Sequence, residues 1–241
     1  MYKQTVDFIK SQFPYQDLIY LHEPRFGGNE KKYLEQCIES TYVSYLGEFV
    51  TKFEDSIKQY TGAKYAVATV NGTCALQIAL QVSGIDFEDE VLTTALTFVA
   101  TANAITYTGA KITFIDSSKE TLGLSPDKLN EFLSKNAVLK NDGYAYNKIT
   151  GRRIFACVPV HIYGHPVKME EIIDVCNKYN IIVIEDAAES LGSFYKGKHT
   201  GTFGKLGVFS FNGNKIVTAG GGGMIITDED FLAERIKHIA T

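Results

Sequence analysis

Hydrophobic positions along the middle of the chain switch repeatedly between short continuous runs and helical spacing. Lys64 to Val70 (KYAVATV) reads as a strand, and Asn71-Gly72-Thr73 opens a helix with Leu76, Ala79 and Leu80 on one face. Val91 to Thr94 is a second short strand, Val99 to Tyr107 a helix ended by Gly109, and Lys111 to Ile115 a third strand. Ser125-Pro126-Asp127 marks a helix start, with Ser as N-cap and Pro in the first turn. Further on, Ile154 to Val160 is an apolar strand. A helix follows with Ile172, Val175, Cys176 and Tyr179 at i, i+3, i+4, i+7. Ile181 to Glu185, Val208 to Phe211 and Met224 to Thr227 are three more strands.

Strands that alternate with helices predict an α/β fold, a mostly parallel sheet with helices on both faces. The ligand site of such a sheet lies at the carboxyl ends of its strands. Residues 136 to 153 are polar and turn-rich and read as a surface excursion, a candidate hairpin. Residues 1 to 30, with the turn pair Gly27-Gly28, read as an irregular arm packed on a domain formed by residues 31 to 241. The last helical pattern, Phe231 to Ala240, has no C-cap signal, and its Leu232 and Ile236 form an apolar stripe.

Composition narrows the classes without deciding among them. The 241 residues suffice for one sizeable core, and 45% apolar with 22% charged residues is ordinary for a globular chain. A formal net charge of -4 and no basic run give no general pull toward nucleic acid or an anionic membrane. The start (MYKQTVDFIKSQFPYQD) lacks the long apolar stretch of a signal peptide, and no apolar run is long enough to span a bilayer. Cys37, Cys74, Cys157 and Cys176 make no C-x-x-C pair, so buried reduced thiols in a cytoplasmic protein are expected.

Three junctions can carry chemistry. At Asn71-Gly72-Thr73-Cys74, Gly admits an anion close to the backbone and the free N–H groups of a first helical turn bind it; an ordinary N-cap reads the same. Ile184-Glu185-Asp186-Ala187-Ala188-Glu189 places acids at a strand's carboxyl end, with two small residues leaving room for a flat ligand; a solvated loop is the alternative. Phe209 to Lys215 ends a strand in a polar turn bearing one lysine, followed by Gly220 to Gly223, which fits close approach to a cofactor or a plain hairpin. The glycines do not form G-x-G-x-x-G before a helix, which excludes a dinucleotide fingerprint. His161 and His165 have i, i+4 spacing, but Gly164 and Pro166 deny them a helix, and no metal site is expected.

Taken together, GT at a helix start, TF after a strand, EDAAE at a strand end and S-F-x-x-x-K-x-x-x-x-x-GG resemble the DegT/StrS-type sugar aminotransferases, which share fold-type I architecture. The likeness runs from about Leu21 to the last residue. The stretches EPRFGGNEKKYLEQCIE, TFVATANAI, EDAAESLGS and YKGKHTGTFGKLGVFSFNGNK look closest to aminotransferases of legionaminic-acid and bacillosamine-type pathways.

The resemblance implies pyridoxal 5'-phosphate (PLP) as cofactor. Lys215 matches the family lysine that forms the Schiff base, and Asp186 the carboxylate facing the pyridine nitrogen. Phe98 matches the aromatic stacked on the ring and Glu189 the polar residue near the ring hydroxyl. Gly72, Thr73 and Ser210 match the phosphate cradle, with Cys74 at a position often filled by Ala. An ionised Asp186 raises the proton affinity of the ring nitrogen, as the chemistry requires. The reaction implied is amino transfer from an amino acid, glutamate by resemblance, to the C4 ketone of a UDP-linked 4-keto-6-deoxy-N-acetylhexosamine. A PLP-dependent sugar dehydratase and a non-catalytic PLP-binding regulator share the fold. Some relatives with histidine in place of the lysine do other chemistry, and here the lysine is present. The family also implies a homodimer with the cofactor at the interface, and a smaller C-terminal domain after the present chain, without which turnover is expected to be poor.

Overall fold

A computed structural model describes residues 2–241. The chain begins with three helices, α1 (Lys3–Gln12), α2 (Glu30–Ser40) and α3 (Glu48–Thr61), then alternates: β1 (Tyr65–Thr69), α4 (Gly72–Val82), β2 (Glu90–Thr94), α5 (Val99–Tyr107), β3 (Lys111–Ile115) and α6 (Pro126–Asn136). The excursion forms β4 (Ala137–Leu139) and β5 (Ala145–Asn147), followed by β6 (Arg153–Val158), a 3-10 turn (Ile162–Gly164), α7 (Met169–Asn177) and β7 (Ile182–Asp186). A small hairpin, β8 (Phe194–Tyr195) with β9 (Lys198–His199), precedes β10 (Leu206–Ser210), β11 (Gly223–Thr227) and α8 (Asp230–Ala240).

The main sheet runs β1-β11-β10-β7-β6-β2-β3. Along this path every pairing from β10 to β3 is parallel, and β11 runs antiparallel to both of its neighbours. Because successive side chains in a strand point to opposite faces, each strand feeds two cores. Val91 of β2, Ile184 of β7 and Val208 of β10 pack against Leu76, Leu80, Ile105 and Ile236 of α4, α5 and α8. Their neighbours Leu92 and Val183 pack on the other face against Leu129, Leu133, Ile172 and Cys176 of α6 and α7. A third cluster joins Ile57 of α3 to Phe209, Phe211 and Met224. Leu80 and Leu92 are fully buried, and each such side chain stabilises the fold by about 1.5–3 kcal/mol relative to exposure.

The α/β expectation holds, with helices on both faces of a mostly parallel sheet. The Ser125 cap is in place, its hydroxyl accepting from the Lys128 N–H at 3.3 Å, and β4 and β5 form the hairpin expected within 136 to 153. Two local expectations change. Residues 1 to 30 are not irregular throughout, since α1 occupies residues 3 to 12; it buries no side chain, and its apolar Val6 and Ile9 stay exposed. The helix around Ile172 stops at Asn177, before Tyr179, and Asn180 then turns left-handed at φ 53°. Among the described residues no helix is long and apolar enough to cross a membrane.

Candidate active site

Parallel strands place the loops after β1, β2, β6, β7 and β10 at one edge of the sheet, and these loops surround a cavity of about 500 Å³. Gly72 and Thr73 reach it from the start of α4, Phe98 from the start of α5, His161 and Tyr163 from the loop after β6. Asp186 and Glu189 come from the end of β7, and Ser210 and Lys215 from the end of β10.

The junction after β1 is built as a cradle. Asn71 is extended and caps α4, its Oδ1 accepting the Cys74 N–H at 2.8 Å. A Cβ on Gly72 would lie 2.8 Å from Ser210 Cβ and 3.1 Å from its Oγ, so only glycine lets the α4 turn come this close to the end of β10. The glycine run is the other half of this packing. A Cβ on Gly223 would meet the Asn71 carbonyl oxygen at 2.4 Å, and Phe211 N–H donates to Gly222 O. The run supports the cradle from behind and does not line the cavity.

Asp186 sits on the face of β7 that looks toward α5 and is 7% exposed. Among the described residues two donors reach its carboxylate: the Thr101 hydroxyl on Oδ2 at 2.7 Å and the Ala188 N–H on Oδ1 at 3.2 Å. Burial pushes this carboxyl above the ordinary aspartate range, while the Thr101 and Ala188 bonds, then the Lys215 charge, pull it back. Lys215 follows a turn closed by its N–H on Asn212 O. Its Nζ meets Glu189 Oε1 at 2.9 Å and stands 5.9 Å from the centre of the Phe98 ring, which is 71% exposed.

Of the residues singled out in the sequence, Lys215, Asp186, Glu189, Phe98, Gly72, Thr73 and Ser210 all line this one cavity. Cys74 does not; its N–H is taken by the Asn71 cap. Glu185, beside Asp186, points to the opposite face, where its oxygens accept His161 Nε2–H and the N–H groups of Gly201, Phe203 and Gly204 at 2.6–3.0 Å. His161 is fully engaged, since its Nδ1 accepts the Val167 N–H and is thereby unprotonated. Sequence reading missed Thr101, one helical turn after Phe98, and Tyr163, a largely exposed aromatic held left-handed at φ 50°. The i+3 spacing from Phe98 was a usable signal for Thr101; Tyr163 had none.

The residues fit PLP. The cavity has room for a pyridine ring and its phosphate, the Gly72–Ser210 cradle at the start of α4 suits an anion, and Asp186 keeps acceptor capacity turned toward the space beside Lys215.

Comparison with known proteins gives a consistent picture. The family model described as the DegT/DnrJ/EryC1/StrS aminotransferase family matches residues 24–241. A GDP-perosamine synthase of Escherichia coli O157:H7 is 40% identical over 90% of the chain and 55% of the relative. A UDP-2-acetamido-2-deoxy-3-oxo-D-glucuronate aminotransferase of Pseudomonas aeruginosa is 36% identical over 81% of the chain and 50% of the relative. The X-ray structure of an aminotransferase from Psychrobacter cryohalolentis superposes with a TM-score of 0.79 at 32% identity, covering 90% of this chain and 51% of that one. The chain thus spans about half the length of the curated relatives it matches.

Proposed function

The chain belongs to the DegT/DnrJ/EryC1/StrS aminotransferase family, and from that premise we propose that its cavity is a transamination site acting on a nucleotide-linked keto-sugar. The observation that carries the reading is the convergence of Lys215, Asp186, Phe98 and the Gly72–Ser210 cradle on one cavity at the carboxyl edge of the sheet.

Pyridoxal 5'-phosphate is the cofactor; when bound, it carries the amino group from donor to acceptor and accepts electrons from the neighbouring carbon. Lys215 Nζ is the covalent anchor, and once freed it holds the proton that moves between carbon atoms. Asp186 keeps the pyridine nitrogen protonated. Phe98, which lines the same cavity, would cover one face of the ring and keep water from it. Gly72 N–H, Thr73 and Ser210 bind the phosphate at the start of α4. Glu189, already on Lys215 Nζ, orients the amine and would face the ring hydroxyl of the bound cofactor.

The acceptor is the C4 ketone of a UDP-linked 4-keto-6-deoxy-N-acetylhexosamine, and the donor is an amino acid, glutamate by resemblance. A second acceptor class, a GDP-linked sugar, is favoured by the 40% identity to a GDP-perosamine synthase. The dehydratase and regulatory alternatives are disfavoured by Lys215 and Asp186 together, since neither needs both. We place this site at the interface of a homodimer, with residues 1–30 as an arm toward the second copy. The exposed apolar side chains near the cavity mouth and on the first two helices, Phe98, Val99, Ile216, Leu34 and Ile38 among them, support that arrangement.

Borohydride reduction with PLP, followed by peptide mapping, tests the anchor. The label is expected on the peptide containing Lys215 and is lost in Lys215→Ala; attachment elsewhere overturns the assignment. Conversion to pyridoxamine phosphate with glutamate, then amino transfer to UDP- and GDP-linked keto-sugars, separates the acceptors. Light scattering is expected to give at least twice the 26.7 kDa chain mass.

A further inference from the structure

We propose that Thr101, backed by Thr97, is a positioning residue that keeps the buried Asp186 carboxylate ionised and aimed at the pyridine nitrogen. The inference rests on the reading of Asp186 given above and adds residues to it.

Thr101 is 1% exposed and stands in the first turn of α5. Its hydroxyl lies 2.7 Å from Asp186 Oδ2 on one side and 2.7 Å from the Thr97 hydroxyl on the other. Thr97 Oγ1 in turn lies 3.3 Å from the Phe98 carbonyl oxygen. A hydroxyl has one proton to give. With Asp186 ionised, Thr101 donates to Oδ2 and its own oxygen accepts from Thr97, so every proton points toward the carboxylate. With Asp186 protonated, the chain reverses and ends on the Phe98 carbonyl across the longer 3.3 Å gap. Both arrangements use the same two 2.7 Å contacts, but in the ionised one they end on a charged acceptor, and bonds to a charged group are the stronger ones. The positive end of the α5 dipole, at this same turn, favours it as well.

The other surroundings contribute less. Ala188 N–H reaches only the other oxygen, at 3.2 Å. The Lys215 charge is directed to Glu189, and His161 gives its Nε2–H to Glu185. Against a burial that favours the neutral acid, the Thr101 bond is the strongest local counterweight, because hydrogen bonds to charged groups in a dry site are about twice as strong as neutral ones. The same threonines tie Asp186 to the segment that carries Phe98, so the group facing the ring nitrogen and the group covering the ring face are set by one chain of bonds.

The test compares wild type, Thr101→Ser, Thr101→Val and Asp186→Asn in the purified protein, with PLP labelled with 15N in the ring. Readouts are PLP affinity, the chemical shift of the pyridine nitrogen at neutral pH, and thermal unfolding. Thr101→Val is expected to bind PLP about ten-fold more weakly and to move the nitrogen signal from the pyridinium toward the neutral pyridine position. Thr101→Ser is expected to restore both. A Thr101→Val protein with wild-type affinity and nitrogen shift, while Asp186→Asn loses both, overturns the proposal alone. If Asp186→Asn also behaves as wild type, the reading of Asp186 falls and this proposal with it. Should Thr101→Val not fold, Thr101→Ala is read in the same way.

Discussion

Glu185 and Asp186 are adjacent on β7, one on each face of the sheet, and both are buried. Glu185 takes four donors, His161 Nε2–H and three backbone N–H groups of the 201–204 loop. A carboxylate offers about four acceptor positions, so Glu185 is saturated by the chain. Asp186 takes two donors and turns its remaining capacity toward the cavity. Burying an ionised group costs several kcal/mol unless it is bonded. A saturated buried acid therefore belongs to the fold, and a half-satisfied one beside a cavity is completed by a ligand. The difference separates scaffold from site across a single peptide bond.

The comparison breaks if the two residues respond alike to mutation. Glu185→Ala leaves four donors without an acceptor and is expected to cost about 3–5 kcal/mol, the usual range for removing one partner of a buried charged network. That is a large share of the 5–15 kcal/mol that holds a typical domain together. Urea unfolding measures it.

Asp186→Asn is expected to leave unfolding free energy unchanged or slightly raised at neutral pH. Burial raises the folded-state pKa of Asp186, so its ionised form opposes folding above the unfolded value, and the amide removes that opposition. The same change is expected to weaken PLP by about 1.5–3 kcal/mol, roughly ten- to a hundred-fold, through loss of the charged partner for the ring nitrogen. Equal losses of stability in the two variants would end the distinction.

Gly72→Ala sharpens the comparison from the phosphate side. Its Cβ would press on Ser210 Cβ at 2.8 Å, and overpacking of this kind costs about 1–3 kcal/mol. Ser210 Oγ has to move, so PLP affinity is expected to fall along with the midpoint of thermal unfolding. In Asp186→Asn, by contrast, only affinity falls. Loss of melting temperature with full PLP affinity would show that the cradle does not hold the phosphate.

How much of this was legible in the sequence follows from the range of each interaction. The strands were readable because their apolar runs are bounded by turn residues, and the α6 start because Ser125 and Pro126 act locally. Lys215, Asp186 and the Gly72 junction were readable as strand-end chemistry and by family likeness. Which of the two acids faces the cavity was given by the family likeness alone and not by the strand pattern. Strand parity puts them on opposite faces, but the donors that occupy Glu185 arrive from residues 201–204 and from His161, placed there by topology alone. Thr101 meets Asp186 across 85 positions. The α1 helix escaped because its helical spacing, Val6 with Ile9, is about one turn long and packs into no core.

The smallest expected effect concerns pH and separates the two faces of β7 without any mutation of either acid. His199, at the head of the loop that supplies Glu185's donors, is 2% exposed and ringed by Tyr60, Phe194 and Phe209 at 5.1–5.7 Å. Its Nε2 accepts the Gly192 N–H at 2.8 Å and its Nδ1–H donates to Thr200 O, so the imidazole is neutral as packed. Burial lowers its pKa below the ordinary histidine value, with the Thr200 carbonyl and Glu185 pulling the other way. The unfolded chain takes up this proton near pH 6.5 and the folded one only below that. Stability from His199 is therefore complete above about pH 6.5 and declines as pH falls, by at most about 1.4 kcal/mol per unit for one proton. Protonation of Nε2 also ejects the Gly192 N–H and loosens the turn leading to Gly201. Amide exchange, corrected for its intrinsic pH dependence, is expected to show Gly201, Phe203 and Gly204 losing protection between pH 7 and pH 5.5, with Ala188 on the Asp186 side holding its protection. His199→Gln is expected to flatten the pH dependence of unfolding. Parallel loss of protection at Ala188 would mean that the two faces are one cooperative unit, and that acid does not tell scaffold from site.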